Sequence, residues 1–345
     1  MTQTRSVPSA FIAGPVIDRI GIIYAPLLAL AIGIIISASP LKSMEIAIGP
    51  SYRNQITNSF IACFIFAHLF LVFFRSHGNP VIFRQHQIRF VIVPALLFGG
   101  MLLSHWILVA VAVVAVIWDV YHSSMQTFGI GRIYDAKAGN NPQVGRWLDL
   151  GLNLLLYAGP ILAGATLMLH VEQINQHAGE SLFFTAVPAY AMQHQRVLTW
   201  LLLGIGVPYI TWYVFSYWRL SQKGYHVSFE KVMLLASTGY CSIYTWGFNS
   251  VGQAFFIMNF FHALQYFVIV WTMEGSNLQR RVGLSGIRWG RWPTLLGFLG
   301  IAVGFGIWVE MTQHSSDVVF AIITLVAVLH FWYDGFIWSV RRKEV

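Results

Sequence analysis

Four histidines lie inside long apolar stretches of the chain, where a polar side chain is costly and is usually kept for a function. They are His68, His122, His262 and His330. Each apolar stretch ends near a charged residue seven to twelve positions after its histidine; in chain order these are Arg75, Arg132, Glu274 and Arg341. At a rise of 1.5 Å per residue, all four imidazoles are expected roughly 10–18 Å from that end. The spacing predicts four helices that bring imidazoles to a similar depth.

Polar neighbours stand at three- or four-residue spacing from three of these histidines, which places them on the same helical face. They are Asp119 and Gln126 for His122, Asp334 for His330, and Tyr266 for His262. Imidazole and carboxylate together suit Fe, Zn, Mn or Cu, and a mixed set with open coordination positions suits iron without haem. We expect the metal ligands to be His68, His122, His262, His330, Asp334 and Asp119, with Asp149 as a further candidate carboxylate. Tyr266 and Gln126 are expected to orient bound oxygen or substrate.

The same residues allow other interpretations. A single histidine in a membrane helix is more often a packing or hydrogen-bonding residue than a ligand. Zinc held by this set would lower the pKa of bound water and support hydrolysis of a lipid ester or amide, with Ser123 assisting. Four imidazoles could bind haem b for electron transfer. Buried Asp and His also act as proton relays in transporters, and a scaffold subunit would tolerate their replacement.

The composition predicts an integral membrane protein. Of 345 residues, 57% are hydrophobic and only 10% are charged, against about 25% charged in a soluble domain. In such a chain a net charge of +8 marks loops at the anionic cytoplasmic leaflet rather than a nucleic-acid surface. Cys63 and Cys241 both lie in apolar runs, so they provide neither a disulfide framework nor a paired-cysteine metal site.

The elements that position the histidines are expected to be membrane-spanning helices. A bilayer core needs roughly 20 apolar residues per helix. Ten segments approach that length: 16–38, 55–75, 87–104, 105–128, 147–169, 197–218, 231–249, 251–273, 293–311 and 317–339. Two pairs of these run together, around Ser104 and around Asn249, and are split into hairpins. The predicted fold is all-α, a polytopic helical bundle.

Charge predicts the orientation of that bundle. With both termini in the cytoplasm, every Lys and Arg lies on the inner side except Lys42, Arg53 and Arg196. This distribution satisfies the positive-inside rule, which an odd number of spans would break. The longest polar segments, about 170–196 and 274–292, are too short for a core of their own. Residues 1–345 therefore form a single transmembrane domain, expected in a bacterial inner (cytoplasmic) membrane.

Three motifs carry a resemblance to known proteins. Residues 121–129 (YHSSMQTFG), 262–266 (HALQY) and 330–338 (HFWYDGFIW) resemble motifs of uncharacterised multi-pass bacterial membrane proteins. The layout is also loosely similar to the histidine-rich membrane iron oxygenases: fatty-acid desaturases and hydroxylases, alkane hydroxylases, and carotenoid dioxygenases of the Brp/Blh type. The paired histidine boxes of the desaturases are absent here, so the resemblance implies a class of site rather than a particular enzyme.

Together these features predict a metal-dependent oxidoreductase in the membrane that acts on a lipid-soluble small molecule. The expected cofactor is non-haem iron, as one or two ions, with zinc or haem b as alternatives. A monooxygenase also needs electrons, and the basic inner loops are suited to dock an acidic electron donor. The remaining expected partner is the lipid bilayer, and no nucleic acid is expected.

Overall fold

A computed structural model describes residues 10–48, 52–163, 194–248, 251–312 and 315–338. The chain begins with a short helix α1 (Pro15–Asp18), which continues through a π-helical turn (Arg19–Ile23) into α2 (Ala25–Ala38). A 3-10 turn (Pro40–Ser43) leads to an antiparallel hairpin of β1 (Glu45–Ile48) and β2 (Tyr52–Gln55). Apart from this small hairpin, the described regular structure is helical.

Ten further helices follow in the described ranges. They are α3 (Ile56–Ser76), α4 (Pro80–Gln85), α5 (Gln87–Leu103), α6 (His105–Lys137), α7 (Arg146–Ala163), α8 (Gln195–Gln222), α9 (Phe229–Phe248), α10 (Val251–Arg281), α11 (Arg291–Thr312) and α12 (Asp317–Ile337). The predicted all-α class is thus confirmed, and a helix stands at each of the ten predicted segments.

Two helix ends differ from the prediction by eight or nine residues. Helix α6 continues nine residues beyond the predicted end at 128, to Lys137, and α10 continues eight beyond 273, to Arg281. Both extensions contain charged residues, and the backbone stays helical because buried ion pairs anchor it there. The predicted break at Ser104 is confirmed, since that residue has extended backbone angles between α5 and α6. The break predicted around Asn249 and the segment 170–193 lie outside the described residues.

Five described helices are long and apolar enough to cross a membrane, namely α6, α8, residues 256–281 of α10, α11 and α12. A sixth is counted if α1 with the π-turn and α2, which meet at 57°, form one broken span. Large apolar side chains also cover much of the outer surface, and Leu103 and Trp200 are 90% and 75% exposed. In water this surface would be unfavourable, so the helices point to contact with a lipid bilayer.

Helix α10 forms the centre of the bundle. It packs against α2, α3, α9 and α11, and α3 in turn packs against α11 and α12. Helices α3 and α11 approach so closely at Gly306 that a Cβ atom there would overlap the carbonyl oxygen of Cys63. Only glycine allows this approach. Through these contacts the helices that carry the four histidines, α3, α6, α10 and α12, meet in the interior.

Candidate metal centre

The four histidines form one contiguous cluster. His68 on α3, His122 on α6, His262 on α10 and His330 on α12 are all buried. The His68 ring lies 5.1 Å from that of His262 and 5.0 Å from that of His330, measured between ring centroids. The His122 ring lies 5.0 Å from His262 and 4.7 Å from His330. Sequence spacing predicted the similar depth, and the structure adds that the four helices are neighbours.

Several ring nitrogens in this cluster have no hydrogen-bond partner among the described residues. Both ring nitrogens of His262 are buried and unpaired, and so is Nε2 of His68. The Nε2 atoms of His122 and His330 lie 3.1 Å apart. A buried polar atom without a hydrogen-bond partner lowers the stability of the fold by about 1–3 kcal/mol. A cluster with several such atoms is therefore unfavourable unless a ligand binds to them.

Two sets of potential ligand atoms are close enough to share an ion. One contains His68, His262 and His330, and the other contains His122, His330 and Asp334. Within each set the ligand atoms lie within 4.8 Å of one another. Ligands bound about 2 Å from an ion are separated by roughly 3–4 Å, so a small inward movement would bring either set to coordination distance. His330 belongs to both sets.

Asp334 is held beside the histidines by two donors. The hydroxyl of Tyr266 donates to its Oδ1 at 2.7 Å, and the indole Nε1 of Trp338 donates to the same oxygen at 2.8 Å. Its other oxygen, Oδ2, lies 3.8 Å from Nε2 of His122 and 4.0 Å from Nε2 of His330. One carboxylate oxygen is therefore fixed by the protein while the other faces the imidazoles.

Gln126 and Tyr266, predicted to orient oxygen or substrate, both lie at this site. The Gln126 side chain donates through Nε2 to the backbone oxygen of His262 and to Oε1 of Gln265. The Tyr266 ring packs on His330 with centroids 4.7 Å apart, and its hydroxyl is already used on Asp334. Tyr266 is therefore placed to position a carboxylate, whereas Oε1 of Gln126 is buried and unpaired.

A cavity of about 290 Å³ meets the cluster at His68, and we call it the His68 cavity. Its walls are largely apolar, but they include Asp119, Ser123 and Asn259. Asp119, predicted as a ligand, lies on this wall and belongs to neither set of closely spaced ligand atoms. The side chain three residues from His122 therefore lies in a different cavity from Asp334 and Gln126.

A larger cavity of about 490 Å³ meets the cluster at His122 and Asp334, and we call it the His122 cavity. It runs between α6 and α12 and is lined mainly by aromatic and aliphatic side chains, together with Gln126 and Tyr266. Tyr121 and Gly335 on its walls are exposed, so it opens at the surface between the two helices. The two cavities thus contact different histidines of the cluster, and Phe331 lines both of them.

Asp149 is not a ligand of this cluster, contrary to one sequence-based expectation. It lies in a separate buried network, where its Oδ2 pairs with Lys231 at 2.7 Å and also with Arg132. Asp135 pairs with the same two cations, and Tyr217 donates to Oδ1 of Asp149 at 2.7 Å. Two carboxylates already neutralised by two cations form a clamp between α6, α7, α8 and α9, and leave no charge for a metal.

Sequence reasoning missed two residues near the site. Trp338 is not among the predicted site residues, although its four-residue spacing from Asp334 is a usable signal. Arg75 is predicted only as the charge at the end of its apolar stretch. It is buried, forms an ion pair with Glu274 at 2.6 Å, and lies over the Trp338 ring at 4.1 Å from its centroid. The Asp334 site is thus connected by contacts to a charged pair near the helix ends.

Two titrating groups outside the described helices, His77 and Tyr225, have shifted pKa values, and burial raises the pKa of Tyr225. Burial lowers the pKa of His77, the residue that follows α3, below the usual histidine range. Its Nδ1 lies 2.9 Å from the hydroxyl of Ser76, and its ring lies among aromatic side chains. His77 is therefore a packing residue rather than part of the cluster.

No protein family, no curated protein and no solved structure matches this chain.

Proposed function

We propose that this protein is a membrane-embedded oxidoreductase that holds non-haem iron and acts on a lipid-soluble substrate. The observation that carries the proposal is the convergence of four buried histidines from four helices, several of whose ring nitrogens have no hydrogen-bond partner among the described residues. Burying several unpaired imidazoles costs stability. A bound metal ion removes that cost, because it coordinates the ring nitrogens. Packing alone would leave those nitrogens without partners.

The donor set favours iron among the possible metals. Imidazoles with one carboxylate, and with ligand positions left open, suit iron sites without haem. Haem fits less well. Two histidine nitrogens that bind a haem iron from opposite faces would be about 4 Å apart, twice a metal–nitrogen bond of ~2 Å, with the porphyrin between the two rings. The Nε2 atoms of His122 and His330 are 3.1 Å apart, and their rings contact directly.

Each residue then has a defined task. His68, His122, His262 and His330 hold the ion, and Asp334 adds a carboxylate whose orientation Tyr266 and Trp338 fix. Iron, when bound, supplies activation of dioxygen. Apolar walls around the cluster exclude water, Gln126 offers an amide oxygen to the substrate side, and Asp119 offers a carboxyl group in the His68 cavity.

We also propose the number of membrane spans and their orientation. Ten spans with both termini in the cytoplasm place the four histidines in the inner half of a bacterial cytoplasmic membrane. The positive-inside distribution supports this orientation. Four exposed arginines, Arg84 on α4, Arg89 on α5, and Arg280 and Arg281 at the end of α10, provide the basic face for an acidic electron donor.

The test is metal and haem content of protein purified in mild detergent, by elemental analysis and optical spectroscopy. We expect one or two irons per chain, no Soret band, and loss of the iron in a His122→Ala, His330→Ala double variant. A control double variant, His105→Ala with His226→Ala, changes two histidines outside the cluster and is expected to retain the iron. Zinc would redirect the proposal to hydrolysis and a Soret band to electron transfer. A folded protein that remains metal-free when reconstituted with iron contradicts the enzyme proposal and leaves transport or scaffolding.

A further inference from the structure

A cationic groove adjoins the His122 cavity. It has a volume of about 340 Å³ and lies between α7 and α8. Its walls carry three cations, Arg146, Arg219 and Lys223, and none of its lining residues is acidic. These three side chains form no ion pair among the described residues, and all three are exposed. We call this feature the basic groove.

Tryptophans flank the basic groove. Trp147 and Trp212 line it and are 74% and 55% exposed. Exposed tryptophans of membrane proteins concentrate at the level of the lipid headgroups, and unpaired cations at that level attract anionic headgroups. The groove therefore has the features expected of a site for a phosphate or carboxylate at the membrane interface.

Arg146 joins the two spaces, because it lines both the basic groove and the His122 cavity. Along α6 the cavity wall extends from Trp118 to Ile133, which is roughly 22 Å of helix. The wall is apolar along most of this length and includes His122 and Asp334 of the histidine cluster. A molecule with a charged end at Arg146 would thus place an apolar chain against the histidine cluster.

Two glycines keep the cavity wide. A Cβ atom built on Gly129 of α6 or on Gly335 of α12 would meet no atom within 4 Å. The cavity's volume of about 490 Å³ falls within the ordinary range for small-molecule sites, about 300–1,000 Å³. It is long, apolar and open to the lipid side, which suits a single flexible chain better than a compact polar metabolite.

We infer that the substrate class is a single-chain amphiphile with an anionic head, held at Arg146, whose apolar chain lies in the His122 cavity. That this ligand is a substrate rests on the proposed function, but the evidence for the binding site is independent of it. A fatty carboxylate and a lysophospholipid share the required chemistry. Arg219 and Lys223 would add attraction for a doubly charged phosphate head.

The test is equilibrium binding to metal-free protein in neutral detergent, with palmitate, its methyl ester, lysophosphatidate and inorganic phosphate as probes. We expect palmitate and lysophosphatidate to bind, and the methyl ester to bind about tenfold or more weakly because it lacks the charge. Lysophosphatidate binding tighter than palmitate selects the phosphate source within the class, and the reverse selects the carboxylate. Binding of phosphate as tight as that of lysophosphatidate, or of the ester as tight as that of palmitate, overturns the inference.

Variants assign the two ends of the ligand. Arg146→Gln is expected to weaken palmitate binding about tenfold or more, and Arg146→Lys is expected to restore most of it. Arg288→Gln is the matched control, since Arg288 is exposed and lies over Trp289 at 5.7 Å, as Arg146 lies over Trp147 at 5.6 Å. Gly335→Leu is expected to block the chain and abolish palmitate binding. Equal palmitate affinity in Arg146→Gln and Arg288→Gln contradicts the site.

The outcomes separate this inference from the proposed function. Palmitate binding that depends on Arg146 in a protein that never binds iron overturns the proposed function alone. Iron bound by the histidine cluster in a protein without affinity for palmitate or lysophosphatidate overturns the inference alone.

Discussion

Replacement of Tyr266 by Phe is expected to weaken metal binding while leaving every proposed ligand in place. The Tyr266 hydroxyl donates to Oδ1 of Asp334 at 2.7 Å inside the bundle. Partners that orient a ligand in this way typically contribute 10–100-fold to metal affinity. Trp338 still donates to the same oxygen at 2.8 Å, so we expect the lower end of that range. A tenfold loss corresponds to about 1.4 kcal/mol, which agrees with the loss of one hydrogen bond to a charged group.

The assay is a competition titration of the purified protein with a chelator of known iron affinity. Tyr333→Phe is the matched control, because Tyr333 is equally buried on α12 and its hydroxyl has no partner among the described residues. That control is expected to bind iron as the unchanged protein does. Equal iron affinity in Tyr266→Phe and Tyr333→Phe would refute the role of Tyr266 in positioning Asp334.

Three further substitutions test the fold around the site. Gly306→Ala is expected to force α3 and α11 apart, which should destabilise the protein by about 1–3 kcal/mol and lower its thermal unfolding temperature. Gly304→Ala is the control, because a Cβ atom at Gly304 meets no atom within 4 Å, and it should leave the unfolding temperature unchanged. Lys231→Met removes one of the two cations that pair with two buried aspartates, and it should lower the free energy of unfolding by about 3–5 kcal/mol. The control Lys223→Met changes an exposed lysine and should leave the free energy of unfolding nearly unchanged. Because burial lowers the pKa of His77, stability should be full above its unfolded pKa of about 6.5 and fall as the pH drops below it. Unfolding temperatures measured from pH 8 to 5 should therefore decline less in His77→Gln.

Much of the fold could be predicted from the sequence, because hydrophobic length and charge act locally. Apolar stretches gave the helices, and the break at Ser104 was visible from the combined length of two spans. The helix ends beyond 128 and 273 were not predictable, since they depend on ion pairs such as Arg75 with Glu274, 199 residues apart. Such pairs are tertiary contacts, and a single sequence carries no local signal for them.

The candidate site was predictable in part for the same reason. Spacing identified His122 with Gln126 and His330 with Asp334, because neighbours on one helical face follow from periodicity. Spacing does not show which space each carboxylate faces, and Asp119 lines the His68 cavity whereas Asp334 lines the His122 cavity. Asp149 lies among cations from α6 and α9, and only the packing of those helices shows it.

X-ray absorption spectroscopy of the iron-loaded protein is the decisive measurement for a histidine-bound metal centre, because it counts the imidazoles around the ion. We expect three or four nitrogen ligands with imidazole scattering, together with oxygen, at about 2.0–2.2 Å. We also expect one imidazole fewer in His262→Ala. A spectrum without imidazole scattering, or one unchanged in His262→Ala, would contradict a metal centre built from these four helices.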